Sequence, residues 1–248
     1  MNVSLYQAAA AMNANARWQE SISENLGSGS VAGARKRDVS FSSIEAGLMS
    51  GQPNTATSRN LIPSVKTSVN FQQGAMRPSG GPLDFAIEGK GFFEVQLPNG
   101  DHAYTRDGEF HLGPEGQLIT KQGNPVLSDS GPVQFDPTNP SPVTISATGE
   151  ISQGSEVKGR LRLVEFNDPH KLTALGEGKF LAENADLQPI TSDNSRVHQG
   201  FVEGSNASPT TEMAHLITAM RMFEANQKVM QTQDERMGRV ISELGSPS

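Results

Sequence analysis

The strongest constraint on this chain lies near its C-terminus. Met213, Leu216, Met220, Phe223, Gln227, Met230, Asp234, Met237, Ile241 and Leu244 follow a strict three-then-four spacing, and eight of the ten are apolar. A strand alternates faces at every residue, so this spacing predicts a helix with one apolar seam. Ser208 and Pro209 supply its start: serine can accept from first-turn N–H groups, and proline lacks a donor that the first turn cannot use. Gly245 and Pro247 supply its stop. Glu224 with Lys228 and Glu235 with Arg239 put acid before base at i,i+4, each pair worth about 0.2–0.5 kcal/mol. Such a helix is about 54 Å long, whereas a domain of this size is about 35–40 Å across. It would overhang, and its seam needs a partner, either an N-terminal helix or other chains. Gln227 and Asp234 in the seam cost stability and can fix register or oligomer order.

A second, weaker seam opens the chain. Leu5, Met12, Gln19 and Leu26 share one heptad position, and Ala8, Asn15 and Ile22 share the other. Ala9, Ala10, Ala11, Ala14 and Ala16 add helix propensity and a narrow profile. Gly27-Ser28-Gly29-Ser30 ends the helix. Residues 1–40 are thus expected to be a helix and loop, and 41–82 an extended, Gly- and Pro-containing connector with a short strand near 65–71.

Residues 83–200 have a different texture. Leu83, Phe85 and Ile87 alternate, as do Phe93, Val95 and Leu97, and Pro98-Asn99-Gly100-Asp101 is a hairpin turn. Tyr104 with Arg106, Phe110 with Leu112, and Leu118-Ile119 follow between Gly-rich turns. Short strands separated by turns every 8–12 residues predict an antiparallel sandwich or open barrel. The expected fold is α+β: long N- and C-terminal helices pairing as a coiled coil, with an inserted antiparallel β-rich domain. The closing segment, 201–248, carries the C-terminal helix.

Chemistry is sparse. The 248 residues contain no cysteine, which excludes disulfides, thiol nucleophiles and Cys-ligated metal. The five histidines share no ligand spacing, so no metal is expected. The net charge of −7, with Arg35-Lys36-Arg37 the sole basic run, argues against nucleic acid as a partner. Gly89-Lys90-Gly91 lacks the trailing Gly-Lys-Ser/Thr of a phosphate loop. No apolar run reaches the roughly 18 residues needed to span a bilayer, and the start lacks the features of a cleaved signal peptide. No catalytic residues and no cofactor are expected. Two seam-bearing ends around a globular β insert suit assembly. Taken alone, the residues leave other classes open. One is a glycan-binding or hydrolytic β domain with helical oligomerisation arms, resting on the turn carboxylates Asp107 and Glu109. Another is an adaptor that offers the Met-rich helix as a ligand.

Three blocks carry a family resemblance. They are Gly200-Phe201-Val202-Glu203-Gly204-Ser205-Asn206 with Phe223-Glu224-Ala225-Asn226-Gln227-Lys228 downstream; Leu83-Asp84-Phe85-Ala86-Ile87-Glu88-Gly89-Lys90-Gly91-Phe92-Phe93; and Tyr104-Thr105-Arg106-Asp107-Gly108-Glu109-Phe110. In content and order they resemble the bacterial flagellar basal-body rod and hook family of axial proteins. The N-terminus departs from that pattern. Glu24-Asn25-Leu26-Gly27-Ser28 keeps only Asn25 and Leu26 of an Asn-Asn-Leu-Ala-Asn run, and Gly33-Ala34-Arg35-Lys36-Arg37 has Ala where Phe is common.

The resemblance implies a non-enzymatic rod subunit. It would be exported by the flagellar type III apparatus without a cleaved signal and would polymerise helically to carry torque from motor to hook across the periplasm. Its implied partners are copies of itself, other rod and hook proteins, and the export apparatus. The chain length fits proximal or distal rod proteins, and the short connector favours the proximal type. The expected assembly interface comprises Leu5, Met12, Ile22, Asn25 and Leu26 in the first helix. In the last helix it comprises Met213, Leu216, Met220, Phe223, Asn226, Met230, Met237, Ile241 and Leu244.

Overall fold

A computed structural model of the chain describes residues 3–45, 61–184, 187–192 and 194–245. Two helices bracket a succession of short strands: α1 spans Val3–Ser28 and α2 spans Pro209–Gly245. The helix boundaries follow the local chemistry, with Pro209 as the first residue of α2 and Gly245 as its last. The chain divides into two compact units. One comprises residues 1–25, 37–68 and 209–248; the other comprises 26–36 and 69–208. The architecture is α+β with mostly antiparallel pairing.

The helical unit contains α1, α2 and a two-stranded ribbon of β1 (Arg37–Glu45) and β2 (Leu61–Val69). The stretch read from sequence as a connector therefore contributes most of β1 and all of β2. Its residues 46–60 lie outside the described residues. The β-branched and alternating residues of these strands allow pairing even though their outer faces are polar.

The larger unit is built on a six-stranded antiparallel sheet. Its strand order is Thr173–Gly176, Lys179–Leu181, His102–Thr105, Phe92–Gln96, Leu163–Glu165, Ile190–Thr191. The hairpin at 97–101 forms as its turn residues require: Gly100 N–H donates to Leu97 O at 2.9 Å, and Leu97 N–H to Asp101 O at 2.8 Å. Side chains alternate across this sheet, and both faces are covered. Phe93, Val95, Ala103 and Leu163 enter one apolar cluster with Phe85, Ile87, Phe110, Leu118, Val126, Phe135, Ile151 and Val197. Phe92, Tyr104 and Val164 enter the other with Phe166, Leu172, Phe180 and Leu187. Coverage of both faces explains why adjacent Phe92 and Phe93 are both buried. Edge-to-face ring pairs tighten each side: Phe93 on Phe110 at 5.2 Å, and Tyr104 on Phe166 at 4.8 Å. Glu94 lies between Phe93 and Val95 and is almost fully buried. Arg162 Nε reaches it at 3.0 Å, and His102 Nδ1 bonds its other oxygen. Phe85–Glu88 pairs with Arg196–Gln199, and a three-stranded meander holds residues 143–145, 150–153 and 156–160.

Segments far apart in sequence meet at one place in this unit. Gly33 N–H donates to Glu203 O at 2.7 Å and Asn70 N–H to Lys36 O at 2.9 Å. Asn206 stitches the same segments: it accepts from Lys36 N–H at 2.7 Å and donates to Asn70 O at 2.8 Å and Gln72 O at 2.9 Å.

Candidate assembly interface on the terminal helices

Within the helical unit, α1 and α2 pair. Asn25 Nδ2 donates to Glu212 Oε2 at 3.2 Å, and the Trp18 and His215 rings lie 6.2 Å apart. Contact moves toward the start of α1 as it moves along α2, so the helices are antiparallel. Asn25 also fixes the start of β1, accepting from Arg37 N–H at 2.7 Å and donating to Arg37 O at 3.0 Å. Trp18 stacks edge-on against Phe41 of β1 at 5.5 Å. An open recess of about 180 Å³ beside α1 and β2 is lined by Ala10, Asn13, Ala14, Arg17, Ser64 and Val65.

The inward face of α2 is set by what is withdrawn from solvent. Glu212 and Ala219 are buried, and Leu216, Phe223, Asn226, Met230 and Gln233 are half-buried. These positions repeat by four and three. They share Leu216, Phe223 and Met230 with the seam expected from sequence. On the other line, Glu212, Ala219, Asn226 and Gln233 replace Met213, Met220, Gln227 and Asp234. Met213 and Met220 instead stand outside the paired face, 57% and 52% exposed. At about 100° per residue, Met213, Ile217 and Met220 form one flank of the inward stripe and Met222 and Val229 the other. The apolar arc of α2 is thus wider than the face it turns to α1.

On α1, Ala8, Asn15 and Ile22 are buried, as is Asn25, while Met12 and Leu26 are half-buried. The side chains of Leu5 and Leu244 lie outside the described residues. Sequence reasoning missed Glu212 and Ala219. The available signals were their seven-residue spacing and the small size of Ala219, which admits close helix approach; both are weaker than a row of methionines.

The pairing register leaves α2 uncovered at its far end. Asn25 opposite Glu212 and Trp18 opposite His215 put Val3 near residue 232, so α2 continues for about 12 residues, or about 18 Å, past α1. Burial agrees: every described side chain from Asp234 to Ser242 is exposed. Met237, Val240 and Ile241 are 46%, 52% and 68% exposed on this overhang.

The turn carboxylates of the β unit build local structure. Asp107 is buried, and its Oδ1 accepts from Glu109 N–H at 3.0 Å. Burial pushes its carboxyl up to about 6, helped by the nearby Glu109 and Asp84 charges. Glu109 pairs with Lys121, and that bond raises the lysine's own proton affinity. The histidines lie apart. Beyond His102 and His215, His170 Nδ1 meets Val69 O at 3.1 Å and His198 Nε2 meets Glu88 at 2.8 Å. Among the described residues, no group of three or more His, Asp or Glu side chains could hold a metal ion.

Comparison with known proteins agrees with this layout. Residues 86–153 match the model of the flagellar hook protein FlgE/F/G D1 domain. Residues 198–243 match that of the flagellar basal body rod FlgEFG protein C-terminal region. The chain is 40% identical over 178 residues to the flagellar basal-body rod protein FlgF of Caulobacter vibrioides, covering 71% of each chain. It is 32% identical over 250 residues to FlgF of Mesorhizobium japonicum, covering 100% of both. It is also 32% identical over 240 residues to the rod protein FlgG of Buchnera aphidicola subsp. Acyrthosiphon pisum, covering 88% of this chain and 91% of that one.

Proposed function

The chain belongs to the flagellar basal-body rod protein family, whose members are structural, non-enzymatic parts of the motility apparatus, and from that premise we propose that it polymerises helically through its terminal helices. Copies of the chain, with other rod and hook proteins, form a rod that carries torque from motor to hook. The overhang of α2 carries this reading. A helix end bearing Met237, Val240 and Ile241 in solvent gains stability only when another surface covers it. A neighbouring subunit's helices supply that surface and continue the α1–α2 pairing as a coiled coil. Met213, Met220 and the opposite flank serve further neighbours, together with Leu5, Met12, Leu26, Phe223 and Leu244. Where a contact between two different patches does not close on itself, it repeats into a helical filament of one subunit type. The short stretch between residues 41 and 82 favours the proximal type of rod subunit. Export proceeds through the flagellar apparatus.

The test is a Met237→Asp/Ile241→Asp double variant. Both side chains are exposed in the single chain, so its thermal unfolding should match the parent within about 0.5 kcal/mol. In cells the variant should be exported yet fail to enter basal bodies, leaving motility abolished. Purified basal bodies that contain the variant at parental amounts would refute assembly through the overhang.

A further inference from the structure

Glu203 has a fully buried carboxylate placed between two guanidinium groups. Arg35 Nη2 lies 2.7 Å from Oε1 and Arg106 Nη1 lies 3.1 Å from Oε2, with all three side chains at most 3% exposed. Gly74 N–H donates to Oε1 at 2.8 Å. Arg106 is held from other directions too: Nη2 donates to Gly89 O at 2.6 Å, and the guanidinium sits 5.0 Å from the centre of the Phe92 ring. Arg35 has no such support, since among the described residues its buried Nε and Nη1 have no hydrogen-bond partner. Two buried cations share one anion, and among the described residues both keep unpartnered groups: Arg106 at Nε, Arg35 at Nε and Nη1. Such an arrangement is a poor way to gain stability, because desolvating a second charge costs more than half a carboxylate returns.

Its location gives it another use. Arg35 lies in the segment that leads from α1 to β1, Gly74 follows β2, and Glu203 lies just before α2. The chain passes between the two units after residues 25, 36, 68 and 208, and three of these passages are close in sequence to the residues around Glu203. Gly33, in the same loop as Arg35, has φ +67° and lies so close to the Arg106–Asp107 peptide that a Cβ would meet it at 2.3 Å. The loop is therefore pressed onto the strand end that carries Arg106.

We propose that Arg35 is a positioning residue: through the shared Glu203 carboxylate it locks segment 33–36 to segment 203–206 within the β unit, so that the chain enters and leaves that unit at one stiff point. Arg106 holds Glu203 in the β unit, and Arg35 adds the loop that follows α1. The charge pair specifies a single geometry at the expense of stability. In a rod, load on the β unit reaches the chain at these entry and exit points; that last step rests on the function proposed above.

The experiment uses the full chain with Arg35→Met, which keeps the aliphatic volume and leaves Glu203 paired with Arg106. Amide hydrogen exchange is read at Gly33, Lys36, Asn70 and Gly204, none of which donates to a cluster side chain. The expected result is exchange accelerated about tenfold or more at these amides, with parental protection in the six-stranded sheet and a midpoint of thermal unfolding at or above the parental one. Arg35→Lys, which retains charge but not the fork, should fall between the two. Unchanged exchange at the four amides would overturn the clamp. A general loss of protection in both variants would mean that Arg35 only supports the fold, and would also overturn it. For the mechanical part, Arg35→Met is placed in a strain lacking its own copy. Rods should form and swimming should fail selectively in viscous medium. Parental swimming under load, with exchange accelerated, would overturn load-bearing while leaving the clamp. Absence of this protein from parental rods would instead remove the proposed function and leave the exchange result intact.

Discussion

Replacing Asp107 by Asn should stabilise the β unit at neutral pH and do little in acid. The Asp107 carboxyl is buried in a turn beside Glu109 and Asp84, and its proton is held up to about pH 6 against 3.8 in a solvated chain. A folded-state pKa raised above the unfolded value makes the carboxylate form the strained one. Folding bears no penalty below about pH 4, the penalty grows as pH rises between the two values, and it is complete above about pH 6. Two units of displacement correspond to about 3 kcal/mol. Asn keeps the Oδ1 acceptor that takes the Glu109 N–H at 3.0 Å and carries no charge, so the variant escapes the penalty at every pH. For a unit of about 150 residues, about 3 kcal/mol shifts the melting midpoint by about 6–12 °C. The assay is paired urea and thermal unfolding of parent and variant at pH 4 and pH 8. The gap should be small at pH 4 and large in favour of the variant at pH 8. A gap of equal size at both values, or a less stable variant at pH 8, would refute the argument that burial of this carboxylate is the cost.

Two further substitutions probe backbone crowding and helix pairing. Gly108→Ala should lower stability by about 3 kcal/mol or more, because the added Cβ would lie 1.7 Å from Phe85 O; circular-dichroism melts should show the loss, and a parental melt would contradict the packing. Asn25→Ala removes a side chain that serves both Arg37 backbone groups and Glu212, and should cost about 2 kcal/mol in urea unfolding, with faster exchange at the Arg37 amide; parental values for both would discount its role in joining α1, α2 and β1.

The helix ends were legible because they rest on local chemistry: Ser208, Pro209 and Gly245 act within one turn. The hairpin at residues 97–101 was legible for the same reason. The frame of the α2 seam was only half legible. Two lines of residues, one through Met213 and Met220 and one through Glu212 and Ala219, have the same spacing, and apolar content favours the methionines. What decides is the partner: the shallow side of Ala219 lets α1 approach, and Asn25 gives Glu212 a hydrogen bond. Both facts depend on residues almost two hundred positions away. The same distance hides the Arg35, Arg106 and Glu203 cluster, whose members look like ordinary charged residues in three separate motifs. Strand order was equally hidden, since pairing Leu163–Glu165 with Phe92–Gln96 depends on long-range closure. β2 was found only in part because its Ser, Lys and Thr positions dilute the alternation of an exposed ribbon.

Burial of both sheet faces leaves the Phe92–Gln96 strand open to a specific error. A shift of one residue would exchange Phe92 with Phe93 and still present an aromatic ring to each cluster, so greasiness barely distinguishes the correct alignment from the slipped one. Glu94 removes that ambiguity. In the native alignment it emerges where Arg162 and His102 can meet it; after a slip it would point its charge into the Phe85–Phe110 side, which among the described residues is an apolar cluster. A single acidic residue in an otherwise oily strand thus vetoes the wrong threading, and mutating it to Leu should yield a chain that folds with more than one alignment.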